Sequence, residues 1–194
     1  MSDGSAPARS RLAAFGPLLA VGAGLVAFPW VASLMGGNLD MAGRILIWGL
    51  FGFGFDLLFG FTGLLSFGQA AFFGSGGFVA AYLLTVPVTE NAILALIAGT
   101  VVAALFGIVI GMLSLRRSGI YFAMLTLAFG EMFFFLDISP LARWTGGENG
   151  LAGVPTPRLG FGSLPLDIKT PMAMYWLLAV LFFLGFLLAY RIIR

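Results

Sequence analysis

The chain has 194 residues, 60% hydrophobic and only 9% charged, with ten basic and eight acidic side chains and a net charge of +2. An average soluble domain carries roughly 25% charged residues, so lipid must solvate most of this surface. Cysteine and histidine are both absent, which excludes disulfides, thiolate metal sites and imidazole proton shuttles. The small net charge, without a basic run, speaks against a nucleic-acid partner.

A hydrocarbon core of ~30 Å needs about 20 apolar residues of helix, and the chain supplies such stretches in series. Leu12 to Met35 is uncharged; although basic residues precede it, it is too long for the 7–15-residue core of a cleaved signal peptide. Arg44 to Gly60 is a second span, interrupted by Asp56. Phe61 to Gly68, FTGLLSFG, reads as a glycine-bracketed turn, and Gln69 to Pro87 as the third span. Asn91 to Leu115 is a fourth, with a small-xxx-small pair at Gly107 and Gly111 that lets another helix approach closely. Ser118 to Leu136 is a fifth, carrying Glu131, and Thr170 to Tyr190 a sixth. The fold class is therefore all-α: a polytopic integral membrane protein of about six transmembrane helices, roughly 12–35, 44–60, 69–87, 91–115, 118–136 and 170–190. A tail, 1–11, precedes a single transmembrane domain, 12–194.

Arginine placement sets the orientation. Arg9, Arg11, Arg116, Arg117, Arg191 and Arg194 collect on one side. Arg44, Arg143, Arg158 and Lys169 lie on the other, offset by Asp40, Glu90, Asp137, Glu148 and Asp167. Both termini are expected in the cytoplasm and the 137–169 loop outside, so cysteines at Ser5 and Ser118 should label from the cytoplasm and one at Thr156 from outside. Four prolines and six glycines make that loop turn-rich rather than helical. Within it Thr145, Gly146, Gly147, Asn149 and Gly150 should form a tight turn, serving either as a connector or as an outward-facing docking surface or gate.

No Walker A sequence, dinucleotide fingerprint or histidine-based metal motif occurs, so an enzyme is not expected and no cofactor is implied. The informative residues are polar ones in apolar surroundings. A carboxylate in mid-bilayer costs ~2.5–3.5 kcal/mol on insertion scales and so normally faces protein or a polar path. Glu131 lies ~9 Å along its helix from Asp137. With Asp56, Gln69 and Ser66 of the turn, it is a candidate lining group of a translocation path; the alternative for each is hydrogen bonding that merely orders the bundle. The phenylalanines from Phe51 to Phe61 read as packing mass rather than a ligand cage.

Three stretches together resemble one family. Gly60 to Ala81, GFTGLLSFGQAAFFGSGGFVAA, Arg117 to Met132, RSGIYFAMLTLAFGEM, and Thr145 to Pro157, TGGENGLAGVPTP, follow in order and spacing the signature segments of the branched-chain amino acid permeases of ABC importers. The resemblance covers roughly residues 45–194. It implies a bacterial inner-membrane subunit that pairs with a second homologous permease, two cytoplasmic ATPase subunits and a periplasmic substrate-binding protein. Members commonly carry histidine where Gln69 stands, so no role of that ring carries over. Urea or amide permeases are near relatives with similar motifs. A passive channel would show a polar stripe repeated over several helices, and a membrane anchor for an enzyme complex would offer haem-ligating histidines; neither pattern is present. Because the family's chains continue beyond the position of Arg194 into a cytoplasmic loop and further spans, the chain is expected to be the N-terminal part of a longer permease, able to insert but unable to drive ATP-coupled uptake even with the partner permease, ATPases and binding protein.

Overall fold

The computed structural model describes residues 7–34, 36–86, 91–155, 158–161, 164–167 and 170–193. Of the expected tail, residues 1–6 lie outside this set, and from Pro7 the chain is already helical. Ser5 and Thr156 also lie outside it. The helices are α1 (Pro7–Leu34), α2 (Leu39–Asp56, continued by a π turn, Leu57–Phe61), α3 (Gln69–Thr85), α4 (Ala92–Ser114), α5 (Ile120–Ile138), the single turn α6 (Ala142–Thr145) and α7 (Pro171–Ile193). Among the described residues five segments are long and apolar enough to cross a membrane: 16–34, 39–61, 92–114, 120–138 and 171–193. The protein is an all-α, multi-pass membrane protein. Large apolar side chains project outward along these helices, Leu34 at 87% and Trp48 at 64% exposure among them, as expected where the surrounding medium is hydrocarbon rather than water.

Several expected boundaries shift. The second span opens at Leu39 rather than Arg44, because Asp40 sits in its first turn, where a carboxylate complements the helix dipole. The last runs on to Ile193, with Arg191 in the final turn, where a cation is favoured. The third is a helix of 17 residues, Gln69–Thr85, at the lower limit of about 17 for a spanning helix; Pro87, its expected end, is outside the described residues. The 137–169 loop carries more structure than expected. After α6 comes a 3₁₀ turn, Gly147–Asn149, and then an antiparallel hairpin pairs β1 (Arg158–Phe161) with β2 (Leu164–Asp167), Arg158 opposite Asp167.

The contacts fall into two compact units: Met1–Phe53 with Thr170–Arg194, and Gly54–Lys169. In the first, Ala42, Leu46, Tyr175 and Ala179 form a buried core against which Leu25, Phe28 and Phe182 pack. In lipid this association rests on close packing and hydrogen bonds rather than on expulsion of water. Glycines supply the fit: a Cβ on Gly49 would lie 2.8 Å from Phe182, and one on Gly43 3.0 Å from Leu178. Tyr175, 1% exposed, donates its hydroxyl to the Leu25 carbonyl at 2.7 Å. That carbonyl faces position 29 of α1, where Pro29 has no N–H to offer it. The tyrosine supplies the hydrogen bond that the proline removes.

In the second unit α3 and α4 cross with their backbones in contact. A Cβ on Gly76 would approach the Gly99 carbonyl oxygen to 2.9 Å, and one on Gly99 would overlap the Gly76 carbonyl. Asn91 caps α4 by accepting the Ile93 N–H at 3.0 Å. The turn into α5 passes through Gly119 at φ +63°, a backbone region that favours glycine, and leaves Arg116 and Arg117 exposed.

Candidate functional site

The site is built around the interruption between α2 and α3. At Leu57 the helix widens into the π turn, a feature that tends to sit at functional positions, and the Thr62 hydroxyl donates back to the Leu58 carbonyl. Gly63, at φ +68°, turns the chain, and Ser66 is buried at 3% exposure. The Phe67 N–H then donates to Thr126 Oγ1 of α5 at 3.2 Å, while the same hydroxyl donates to the Ala123 carbonyl at 3.0 Å. Gly68 lies on the α5 backbone, where a Cβ would stand 2.7 Å from the Thr126 carbonyl oxygen. Gly130, one turn on, is open toward Gly68 and Phe67, its own Cβ position 3.7 Å from each. The turn expected at the end of the helices, FTGLLSFG, is thus packed beside the middle of the 19-residue helix α5. Helix α3 starts there with no side-chain cap, so its first N–H groups and the positive end of its dipole are presented at mid-helix.

A groove of about 510 Å³ runs from this point, within the ~300–1,000 Å³ of small-molecule sites. Its walls are Ala70, Gly74, Ser75 and Phe78 of α3, Phe106 of α4, and Gly130, Phe133 and Asp137 of α5; Leu141 and Thr145 also line it. Phe106 and Phe133 meet edge-on at 4.8 Å between ring centroids. Ser75 donates to the Phe72 carbonyl at 3.2 Å; the lining is mostly apolar, and Asp137 is its one acidic residue.

Thr145 organises the far end. Its hydroxyl lies within hydrogen-bond reach of the Asp137 and Leu141 carbonyls, at 3.1 and 3.0 Å, and accepts the Gly147 N–H at 3.1 Å. Gly146, Gly147 and Gly150 all have positive φ. A Cβ on Gly146 would overlap the Gly150 carbonyl, so the TGGENG turn closes on itself and fastens to the end of α5. Asn149, like Glu148, is exposed at its tip.

Of the residues singled out from sequence, Ser66 and the half-buried Gln69 stand at the interruption and Thr145 lines the groove. Glu131 and Asp56 do not join them. Glu131 is exposed and does not line the groove, although its neighbour Gly130 does. Asp56 is exposed too, with its carboxylate over the π turn, 3.6 Å from the Cβ position of Gly60. Sequence reasoning missed Thr126, Gly68 and Ser75 as site residues. Thr126 and Gly68 lie inside the LTLAFGE and SFGQAAFFG segments, but a hydroxyl and a glycine are unremarkable in an apolar helix until their partners are known. Among the described residues no three metal-ligating side chains cluster.

Comparison with known proteins decides the family. Residues 37–192 match the family described as branched-chain amino acid transport system / permease component. The chain belongs to this family. It is 32% identical over 135 residues to the high-affinity branched-chain amino acid transport system permease protein LivM of Salmonella typhimurium, covering 70% of this chain and 31% of that protein. To the protein of the same name from Escherichia coli it is 34% identical over 134 residues, 69% of this chain and 31% of the relative. The chain thus spans about a third of the length of the curated relatives it matches. No solved structure matches it.

Proposed function

We propose that the chain is a transmembrane subunit of an ABC importer, and that the α2–α3 interruption with the adjoining groove forms part of the translocation path for branched-chain or similarly hydrophobic amino acids. The observation that carries this is the uncapped start of α3 held beside the middle of α5, opening on an apolar groove. Transporters place substrate at such interrupted helices, where the positive helix end meets an anionic group of the substrate. The phenylalanine-lined walls suit an apolar side chain. Ser66 and Gln69 flank the interruption. Glu131 and Asp56, too costly to leave in hydrocarbon, face a neighbouring protein surface or the aqueous side of the path.

The partners this reading requires are a second homologous permease, two cytoplasmic ATPases and a periplasmic substrate-binding protein. The complex sits in a bacterial inner membrane with the Arg116–Arg117 turn in the cytoplasm and the TGGENG turn outside, the 12–194 region acting as one transmembrane permease domain. The test is competition for isotope-labelled leucine uptake by cells expressing a permease that includes this chain, together with these subunits. Isoleucine and valine should compete. Competition by urea or acetamide instead would assign the chain to the amide-transporting branch of the family.

A further inference from the structure

We infer that Thr126 is a positioning residue for transport: its hydroxyl is the latch that holds the interrupted segment, and with it the start of α3, at the middle of α5. This rests on the path proposed above, but the geometry stands apart from it. Between Phe61 and Gln69 the chain is neither helix nor strand over residues 63–66, so its backbone groups need partners from elsewhere in the protein. Phe67 N–H finds Thr126 Oγ1 at 3.2 Å, and Thr126, 2% exposed, is fixed in turn by its bond to the Ala123 carbonyl. The hydroxyl therefore accepts from the interruption and donates to its own helix, using both of its capacities.

Beside this bond two glycines bring the backbones of the segment and of α5 close together. Gly68 rides on the Thr126 carbonyl and Gly130 leaves room for Phe67 and Gly68. Such contact gives proximity without direction; the hydrogen bond to Thr126 supplies the direction. Phe67 is 52% exposed, so its ring does not anchor the segment. Release of this bond frees the residues between Gly63 and Gly68 to swing while α5 stays intact, and Gln69 and the first N–H groups of α3 move with them. Thr126 touches no substrate in this account. It acts through the segment it holds.

The test compares Thr126→Val, which keeps the shape and removes the acceptor, with Thr126→Ser, which keeps the acceptor. Each is placed in a permease that includes this chain, assembled with its partner subunits, and also carries Ser66→Cys as a reporter. Thr126→Val should raise the KM for leucine uptake by about five-fold, the worth of one net hydrogen bond of ~1 kcal/mol, and should speed thiol labelling at position 66. Thr126→Ser should restore both toward the parental values. Equal behaviour of the two variants, or a loss confined to the amount of folded protein with labelling unchanged, would overturn the latch. Labelling needs no transport: if it responds as expected while no variant takes up leucine, the latch stands and the proposed path is wrong.

Discussion

Tyr175→Phe deletes one oxygen atom, and the structure assigns that atom an unusually specific duty. The Leu25 carbonyl should pair with the N–H four residues on, but position 29 is proline, and the Tyr175 hydroxyl at 2.7 Å takes its place. Interhelical hydrogen bonds in membranes average only ≈0.6 kcal/mol, because the loosened state finds other partners. Here Pro29 removes the nearest alternative donor, and an unpaired buried carbonyl costs about 1–3 kcal/mol. We expect Tyr175→Phe to cost about 1–2 kcal/mol, a factor of roughly 5–30 in the folded ratio, with the stacking of the ring on Phe28, at 6.4 Å, retained. The decisive comparison is a double-mutant cycle with Pro29→Ala, which returns an N–H to the helix. In that background Tyr175→Phe should cost less than about 0.5 kcal/mol, so that the two substitutions couple as neighbours do. The assay is reversible unfolding in mixed micelles followed by tryptophan fluorescence. An equal loss in both backgrounds would refute the reasoning, since the tyrosine would then matter for something other than the proline.

Gly99→Ala should separate α3 from α4 and cost about 1–3 kcal/mol by overpacking, whereas Gly107→Ala, with nothing within 4 Å of the new methyl, should leave micellar thermal stability unchanged. Gly146→Ala adds a clash with Gly150 to an unfavourable φ of +81°; protease cleavage near Glu148 should rise well above that of Gly153→Ala, which meets only the φ penalty of about 1–2 kcal/mol. A single cysteine at Glu148 should label from outside in intact cells and one at Ser118 only from the cytoplasm, and outside labelling at Ser118 would overturn the assigned orientation. Glu131→Gln keeps size and hydrogen bonding but loses charge, and should lower uptake by the assembled complex at least several-fold; parental uptake would mark Glu131 as structural.

Hydropathy and length made most of the fold legible. The spans from Leu12 to Met35 and Asn91 to Leu115 could be read because their composition leaves no other solvent than lipid. Their ends were less legible: Asp40 and Arg191 look like boundaries by charge, yet each is favoured inside a terminal helical turn. The candidate site proposed above was legible in part. Gln69 and Ser66 stand where the chain is interrupted, and Thr145 lines the groove. The depth of the interruption was not readable, because it depends on Gly68 and Phe67 meeting Thr126, a pairing across 59 residues that no local pattern encodes. Glu131 attracted attention by its charge, but which face of a helix a side chain occupies depends on neighbours, and its own face is exposed while that of Gly130 lines the groove. The pairing of Pro29 with Tyr175 was hidden for the same reason: the proline is visible in sequence, its compensating donor is not.

The claim at the centre of this account is that substrate passes along the groove beside the start of α3, driven by ATP. Gly74 lines that groove and has nothing within 4 Å of its Cβ position, while the close α3–α4 contact is at Gly76 and Gly99, so Gly74→Trp is chosen to place bulk in the groove, with complex assembly measured alongside. The measurement is leucine uptake into inside-defined proteoliposomes holding the full complex, with and without ATP. ATP-dependent uptake is expected in the parent and its loss in Gly74→Trp, with the complex assembled in equal amount. Uptake that needs no ATP, or that persists undiminished through the tryptophan-filled groove, would contradict it.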